Sequence, residues 1–336
     1  KREESLQETP VAVTALSADA LRDAGVRNLA QLNEIAPNIE VASANGSAPL
    51  ANIYIRGVGQ RNTGPNIDSG VGIYIDEVYV GRPDGALLDI YDIASVQVLR
   101  GPQGTLFGKN TTAGALVFTT NRPSDQLEVE AGVRLGNYDR HDGNFVLNVP
   151  LTDKLFTRLA GSTVNSDGYI KNQYDGKKYM NEDRQNLNWQ TRLVPADTLT
   201  LDLNLLWAQT KQRMRPQKCV LVPDYQGWQA ELFNTLAIVP STKHTMDDFC
   251  ADAAQAGDEN TVISDLGGKY SAKNKGASGV VNWELSDDIS LKSITAWRYT
   301  KAEQDDELDH TGIPFLHRTQ SEHPNGAPRE TDQYSQ

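Results

Sequence analysis

The run Thr198-Leu199-Thr200-Leu201-Asp202-Leu203-Asn204-Leu205-Leu206-Trp207 places an apolar side chain at every odd position and a polar one at each even position up to Asn204. Period two is the mark of a β-strand with one apolar and one polar face. The rhythm recurs on both sides of it. Leu127, Val129, Ala131, Val133 and Leu135 alternate with Glu128, Glu130, Gly132, Arg134 and Gly136. Phe145, Leu147, Val149 and Leu151 share a face, and Leu187, Trp189, Thr191 and Leu193 alternate with Asn188, Gln190, Arg192 and Val194. Val281, Trp283 and Leu285 continue the pattern, followed by Ile289, Leu291, Trp297 and Tyr299. A water-soluble sandwich also alternates, so periodicity alone leaves two architectures open.

Connection lengths separate them. Tight turns are predicted at Pro150-Leu151-Thr152-Asp153, Pro195-Ala196-Asp197 and Ser286-Asp287-Asp288, while long polar excursions occupy 165–184, 211–276 and 303–332. Short turns at one end and long loops at the other are the asymmetry of an outer-membrane barrel. Strands of about 10 residues, rising ~3.3 Å per residue at ~45° tilt, cover roughly 23 Å, the height of such a barrel's apolar band. Trp189, Trp207, Trp283, Trp297 and Tyr299 fall towards strand ends or on the outward parity, as an interfacial girdle requires.

Composition narrows the classes further. No run approaches the roughly 18 uninterrupted apolar residues of a spanning helix. With 32 basic against 44 acidic residues the formal charge is −12, which argues against a nucleic-acid partner. The chain opens on the polar stretch Lys1-Arg2-Glu3-Glu4-Ser5 with no apolar segment behind it, so an export signal is expected upstream of residue 1.

Residues 1–122 have a different texture. Ser17 is positioned to cap a helix in Ala18–Leu32 that Gly25 weakens or ends, and a second short helix is expected over Asn28–Ile35, before Pro37. Short β-rich runs follow at Asn38–Ala42, Ile53–Arg56, Val71–Ile75, Val78–Val80, Ser95–Arg100 and Ala115–Thr120, separated by Gly- and Asn-rich turns.

Specific motifs run through this segment. They are Glu8-Thr9-Pro10-Val11-Ala12-Val13-Thr14, Leu29 to Pro37-Asn38-Ile39, Ile53-Tyr54-Ile55-Arg56-Gly57-Val58-Gly59, and Val71-Gly72-Ile73-Tyr74-Ile75-Asp76-Glu77-Val78-Tyr79. Most distinctive is Val96-Gln97-Val98-Leu99-Arg100-Gly101-Pro102-Gln103-Gly104-Thr105-Leu106-Phe107-Gly108, with Asn110 and Ala113-Gly114-Ala115 after it. In order and spacing these resemble the plug domain of TonB-dependent outer-membrane receptors. The resemblance implies a mixed α/β plug over 1–122 inside a transmembrane antiparallel β-barrel whose amino-terminal portion is 123–336. Of the roughly 22 barrel strands in such transporters, seven and the start of an eighth near Thr331–Gln336 are expected here. The remaining strands are then expected on a polypeptide segment not shown, because an open edge in lipid leaves backbone groups unpaired. Gln97 stands where the family usually has Glu, and the TonB box is expected just upstream of residue 1.

Several groups are candidates for a role. Gly101–Gly114 holds glycines and Lys109, but its spacing misses the phosphate-loop pattern, and turn chemistry accounts for it. The resemblance implies that Arg56 and Arg100 contact wall carboxylates, a kind of ion pair that specifies position more than stability. It also sets the plug's polar tips towards the outside, making Gln60, Arg61, Asn62, Asn66, Arg82 and Asp84 the ligand-contact candidates. Cys219 and Cys250 both fall in the 211–276 excursion, where a disulfide fits an oxidising surface better than two thiols. The acidic stretch Glu303, Asp305, Asp306, Glu307 and Asp309, with His310 beside it, lacks a calcium-loop order and reads as a solvated face.

No nucleophile or acid/base constellation is visible, and neither a cofactor nor a resident metal is expected. The implied function is active uptake of a scarce nutrient across the outer membrane: a ferric siderophore first, otherwise a vitamin, haem or glycan. The implied partners are the TonB–ExbB–ExbD energy-coupling complex, outer-membrane lipid and lipopolysaccharide, and an extracellular small-molecule substrate. The alternative is a surface receptor that signals occupancy rather than transporting.

Overall fold

A computed structural model describes residues 12–26, 28–43, 51–60, 69–81, 91–216, 259–264, 267–307, 317–321 and 331–335. Its amino-terminal body contains eight short strands: β1 (Ala12–Ser17), β2 (Ile39–Ser43), β3 (Ala51–Ile55), β4 (Val58–Gly59), β5 (Val71–Ile75), β6 (Val78–Tyr79), β7 (Ile93–Arg100) and β8 (Gly114–Thr120). They form two sheets, β1-β7-β8-β5-β6 and β2-β3-β4, with β5 parallel to β8 and every other pair antiparallel.

Local chemistry sets the helices. Ser17 caps α1 (Ala18–Asp23) by accepting the Ala20 N–H at 3.2 Å, and Gly25, at φ +68°, turns the chain out soon afterwards. The first helix thus ends at Gly25 and a second, separate one follows, as expected from that glycine. Leu29–Glu34 is a 3₁₀ turn held by a reciprocal capping box between Asn28 and Gln31. Leu21, Leu29, Leu32, Ile55, Val96, Val98 and Leu116 close the core between the sheets. Each such side chain contributes about 1.5–3 kcal/mol by leaving water. Gly101–Gly114 is a turn, as its spacing predicts: it wraps the four-residue helix α2 (Gly104–Phe107) between β7 and β8. At Gly114, φ is +153° and a Cβ would collide with the Leu99 carbonyl and with Ile55.

The second structure is a long antiparallel meander. Its strands are β9 (Glu128–Gly136), β10 (Arg140–Thr152), β11 (Leu155–Ser166), β12 (Ile170–Asn172), β13 (Lys178–Tyr179), β14 (Glu182–Ala196), β15 (Leu199–Arg213), β16 (Thr261–Val262), β17 (Lys269–Ser286), β18 (Ile289–Glu307), β19 (His317–Ser321) and β20 (Thr331–Ser335). The wall order is β9-β10-β11-β14-β15-β17-β18, and β18 pairs with β19 near one end and β20 nearer its middle. Seven full strands and the beginning of an eighth agree with the expected count. Periodicity alone misses β11, whose outward positions pass from Leu155, Thr157 and Leu159 to Gly161, Thr163 and Asn165, so its apolar contrast fades. β17 also starts earlier, at Lys269, through a polar stretch read as loop.

Turns of a few residues join the strands at one rim, at Asp153-Lys154, Asp197-Thr198 and Asp287-Asp288. At the opposite rim β12, β13 and β16 form a small sheet that ties the β11–β14 connection to residues 259–264. There Asn172 donates from Nδ2 to the Ser264 carbonyl at 2.7 Å and accepts the Ser264 N–H at 3.1 Å.

The outward face of the wall exposes Leu147, Leu187, Trp189, Leu203, Leu205, Trp283 and Leu291 side by side, the surface a lipid contact requires. Trp189 is not at a strand end; it lies opposite Leu159 and Leu205, and its indole N–H donates to Thr157 Oγ1 at 2.9 Å. In hydrocarbon that donor has no water to turn to. Leu203→Arg is expected to destabilise the intact receptor in lipid vesicles by about 2–4 kcal/mol, measured by denaturant unfolding. A change near zero would mean that this face is not in the bilayer.

Candidate functional site

The inner face of the wall is polar, and one row of directly opposed residues meets the amino-terminal body. Across neighbouring strands this row reads Glu128, Asn148, Arg158, Gln190, Asn204, Ser278 and Ala296. Asn148, Arg158 and Gln190 are all buried, although a carboxamide or guanidinium is expensive to bury without partners.

Each finds its partner on the inner body or on the link leading from it. Arg158 donates from Nε and Nη2 to the two oxygens of Asp92, at 2.8 and 2.6 Å, and from Nη1 to Glu128 at 2.8 Å. Asp92 sits at φ +56°, just before β7, and also accepts the Asn121 side chain at 2.7 Å. Gln190 donates to Thr120 Oγ1 at 2.8 Å, and Thr120 donates in turn to Asp76 Oδ2 at 2.7 Å. Asp76 Oδ1 accepts the Thr120 N–H at 3.0 Å and faces Arg122 at 3.5 Å. Asn148 accepts the Ser124 N–H at 3.1 Å and donates to the carbonyls of Ser124 and Gln126. Beside this row the β5–β6 turn, with Asp76 and Glu77 both at positive φ, sends Glu77 to an ion pair with Lys292 on β18.

These bonds fall on the part of the body formed by β5 to β8. Beside the Asp92–Arg158–Glu128 cluster, which lines one part of it, a gap of about 740 Å³ lies between α1, at Leu21, Arg22 and Val26, and the wall at Arg134, Asn144 and Val146. Lys292 is close to the short-turn rim. β5 therefore runs towards that rim, and the chain entering β5 comes from the long-loop side.

Of the candidate residues, Gln60 lies just after β4 and is partly buried. Arg61, Asn62, Asn66, Arg82, Asp84, Cys219 and Cys250 lie outside the described residues. Arg56 occupies the β3–β4 turn at φ +53°, next to Gly101, where a Cβ would stand 3.7 Å from its guanidinium. Arg100 donates to Thr14 Oγ1 at 2.6 Å and towards the Pro37 carbonyl at 3.4 Å, leaving its Nε buried without a partner. Arg56 thus lies against Gly101 while Arg100 reaches Thr14 and Pro37, and neither arginine pairs with a carboxylate among the described residues.

Sequence reading misses Asp92, Glu128, Asn148, Arg158 and Gln190 as an interface. Even-position polarity marks the wall residues as inward, but nothing in the sequence says which of them meets Asp92. A further contact fixes the Gly101–Gly114 turn: the Tyr74 hydroxyl donates to the Phe107 carbonyl, and the two rings meet edge to face at 4.9 Å. Burial, reinforced by neighbouring Tyr79, pushes the Tyr74 phenol up to about 12.

An antiparallel wall with an apolar outer face and a polar inner face, the latter bonded to a separate α/β body, is the architecture of a plugged outer-membrane barrel. Residues 5–115 match the TonB-dependent Receptor Plug Domain family. The chain is 30% identical over 194 residues to the pesticin receptor of Yersinia pestis, covering 56% of this chain and 28% of that one. It is 30% identical over 149 residues to the ferric-pyoverdine M114 receptor PbuA of Pseudomonas sp. (strain M114), covering 44% and 17% respectively. The crystal structure of the ferric yersiniabactin uptake receptor FyuA from Yersinia pestis superposes with a TM-score of 0.70 at 20% identity, over 89% of this chain and 42% of that one. Residues 5–115 thus match the plug family, and the chain as a whole is similar in sequence and fold to TonB-dependent receptors of the outer membrane. It spans less than a third of the length of the curated relatives it matches.

Two outcomes test the interface. Asp92→Ala leaves Arg158 buried with Glu128 alone and is expected to cost about 3–5 kcal/mol in unfolding of the intact receptor. The Asp92→Ala, Arg158→Ala double variant is expected to cost clearly less than the sum of the singles. For Tyr74, the raised folded value means that the unfolded chain ionises first, so stability is complete below about 10 and falls as pH rises towards about 12. Tyr74→Phe is expected to flatten that alkaline loss in a pH series of unfolding curves.

Proposed function

We propose that this chain supplies the plug, over residues 1–122, and the first strands, over 123–336, of a receptor that actively takes up a ferric siderophore. The observation that carries this reading is the seated plug: an α/β body bonded by buried side chains to the inner face of a lipid-facing wall. A lumen occupied in this way does not pass a solute by diffusion, so entry requires the plug to rearrange. No nucleotide supply exists in the periplasm to drive that step. The work is therefore assigned to the TonB–ExbB–ExbD complex, pulling on the segment ahead of the plug. Iron chelates are favoured as cargo because one of the relatives is named as a receptor for ferric-pyoverdine. On this reading the protein is a transport receptor and not an enzyme.

Substrate is captured between the long-loop rim and the plug tips, by Gln60, Arg61, Asn62, Asn66, Arg82 and Asp84. Arg56 and Arg100 are assigned to carboxylates of the wall beyond the described residues; the partnerless, buried Arg100 Nε supports that assignment. A Cys219–Cys250 disulfide braces the longest excursion, contributing about 3–4 kcal/mol in the chain-entropy model.

The test is uptake of radio-iron chelates by cells carrying the full-length receptor. Accumulation is expected with the energy-coupling complex present and is expected to cease without it, while surface binding persists. Uptake that continues unchanged without the complex would overturn the reading. The Gln60→Ala, Arg61→Ala, Arg82→Ala triple variant is expected to weaken chelate binding at least tenfold; unchanged affinity would remove these residues from the site.

A further inference from the structure

On the outward face of β15, β17 and β18 the apolar surface ends in an aromatic tier and then turns basic. The registers place Trp207, Lys275 and Tyr299 in one row, Gln209, Lys273 and Lys301 in the next, and Lys211, Ser271 and Glu303 beyond them. Lys211, Lys273 and Lys275 are exposed, while the alternate residues Ala272, Asn274, Ala302 and Gln304 are buried on the opposite face. Trp297 stacks on Tyr299 with ring centres 6.3 Å apart, and the Lys275 amine lies 5.8 Å from the centre of the Tyr299 ring.

Height identifies what this tier meets. Counted from Ile289 at the short-turn end of β18, Trp297 is the eighth residue along, Tyr299 the tenth and Lys301 the twelfth. At ~3.3 Å per residue and ~45° tilt they stand roughly 19, 23 and 28 Å from that rim. The apolar band of such a wall is about 25 Å tall. The aromatic pair therefore sits at the band's far margin, and the lysines stand just beyond it, level with lipid headgroups on the long-loop side. β14 turns Gln185 and Asp183 outward towards the same rim, so the basic patch is confined to three strands.

Charge here is unbalanced, in a chain whose overall charge is −12. Lys273 and Lys301 are directly opposed, a like-charge pairing that is unfavourable on its own. Lys301 reaches Glu303 at 3.3 Å, but Lys211 and Lys273 form no ion pair with a described residue. Lys211 and Lys275 are each diagonal to this pair, at a spacing that long side chains bridge. A phosphate monoester is small, doubly charged and rich in acceptors, so several amines can share it. Lysine stems can lie along the wall while their amines stay in the headgroup plane. We infer that Lys211, Lys273, Lys275 and Lys301 form a docking site for a phosphate-bearing lipid headgroup of the leaflet on the long-loop side. The bound phosphate relieves the repulsion between Lys273 and Lys301, and the aromatic tier below receives the start of the acyl region.

The experiment titrates the purified full-length receptor in detergent with fluorescently labelled bisphosphoryl lipid A, and with the same lipid stripped of its phosphates. Binding is expected to be at least tenfold tighter to the phosphorylated form, and the preference to shrink as ionic strength rises. The Lys211→Gln, Lys273→Gln, Lys275→Gln triple variant is expected to lose the preference. Arginine at the same three positions is expected to keep it, which separates charge from folding. Lys154→Gln, at the short-turn rim, is expected to leave it unchanged. Equal affinity for the two lipids, or a triple Gln variant that retains the preference, would overturn the inference. So would receptor dimers that disappear in the triple Gln variant without any phosphate preference, because the face would then belong to a second copy. The inference rests on the lipid-facing reading of the wall and not on uptake. Should the preference be missing while Leu203→Arg still destabilises the receptor in vesicles, the patch alone is at fault.

Discussion

A backbone that crosses hydrocarbon must bond every N–H and C=O within the protein, and this constraint organises the rest of the molecule. The strands between β9 and β18 in the wall meet it by pairing on both sides over most of their length, with each register set so that Leu, Val and Trp side chains fall on one face. The pleat then sends the alternate residues inward, and these are Asn, Gln, Arg and Glu. A polar inner wall is compatible either with water or with a body that offers matching groups. Here the plug offers them, at Asp92, Thr120 and the Ser124–Gln126 link.

The contacts between plug and wall act through geometry more than through net stabilisation. A buried Arg158 between Asp92 and Glu128 gains Coulomb energy that its own desolvation largely offsets, whereas loss of one partner is costly. Such a cluster penalises every misplaced arrangement of the plug and so defines a single seat for it. The bonds are concentrated on the β5–β8 side, while α1 faces open space at the wall.

Much of this was legible in the chain. The wall strands with strong contrast, the tight turns and the plug motifs could all be read directly, and the caps at Ser17 and Asn28 lie at or beside the predicted helix starts. What was hidden has a physical reason in each case. β11 is concealed because Gly161 and Thr163 stand where larger apolar residues would signal a lipid face. The early start of β17 is concealed because Lys269–Ser278 extends towards the long-loop rim, where polar residues are as acceptable in a strand as in a loop.

Period-two alternation and turn chemistry are local properties, carried by neighbouring residues, so the sequence alone determined that this chain makes strands with one greasy and one polar face, preceded by an α/β body. Partnership between Asp92 and Arg158, 66 positions apart, is not local. It depends on the wall curving until β11 stands opposite the start of β7, and many inward polar residues were equal candidates until then. Tertiary structure alone decided which of them hold the plug and which, like Arg298, are left facing a cavity.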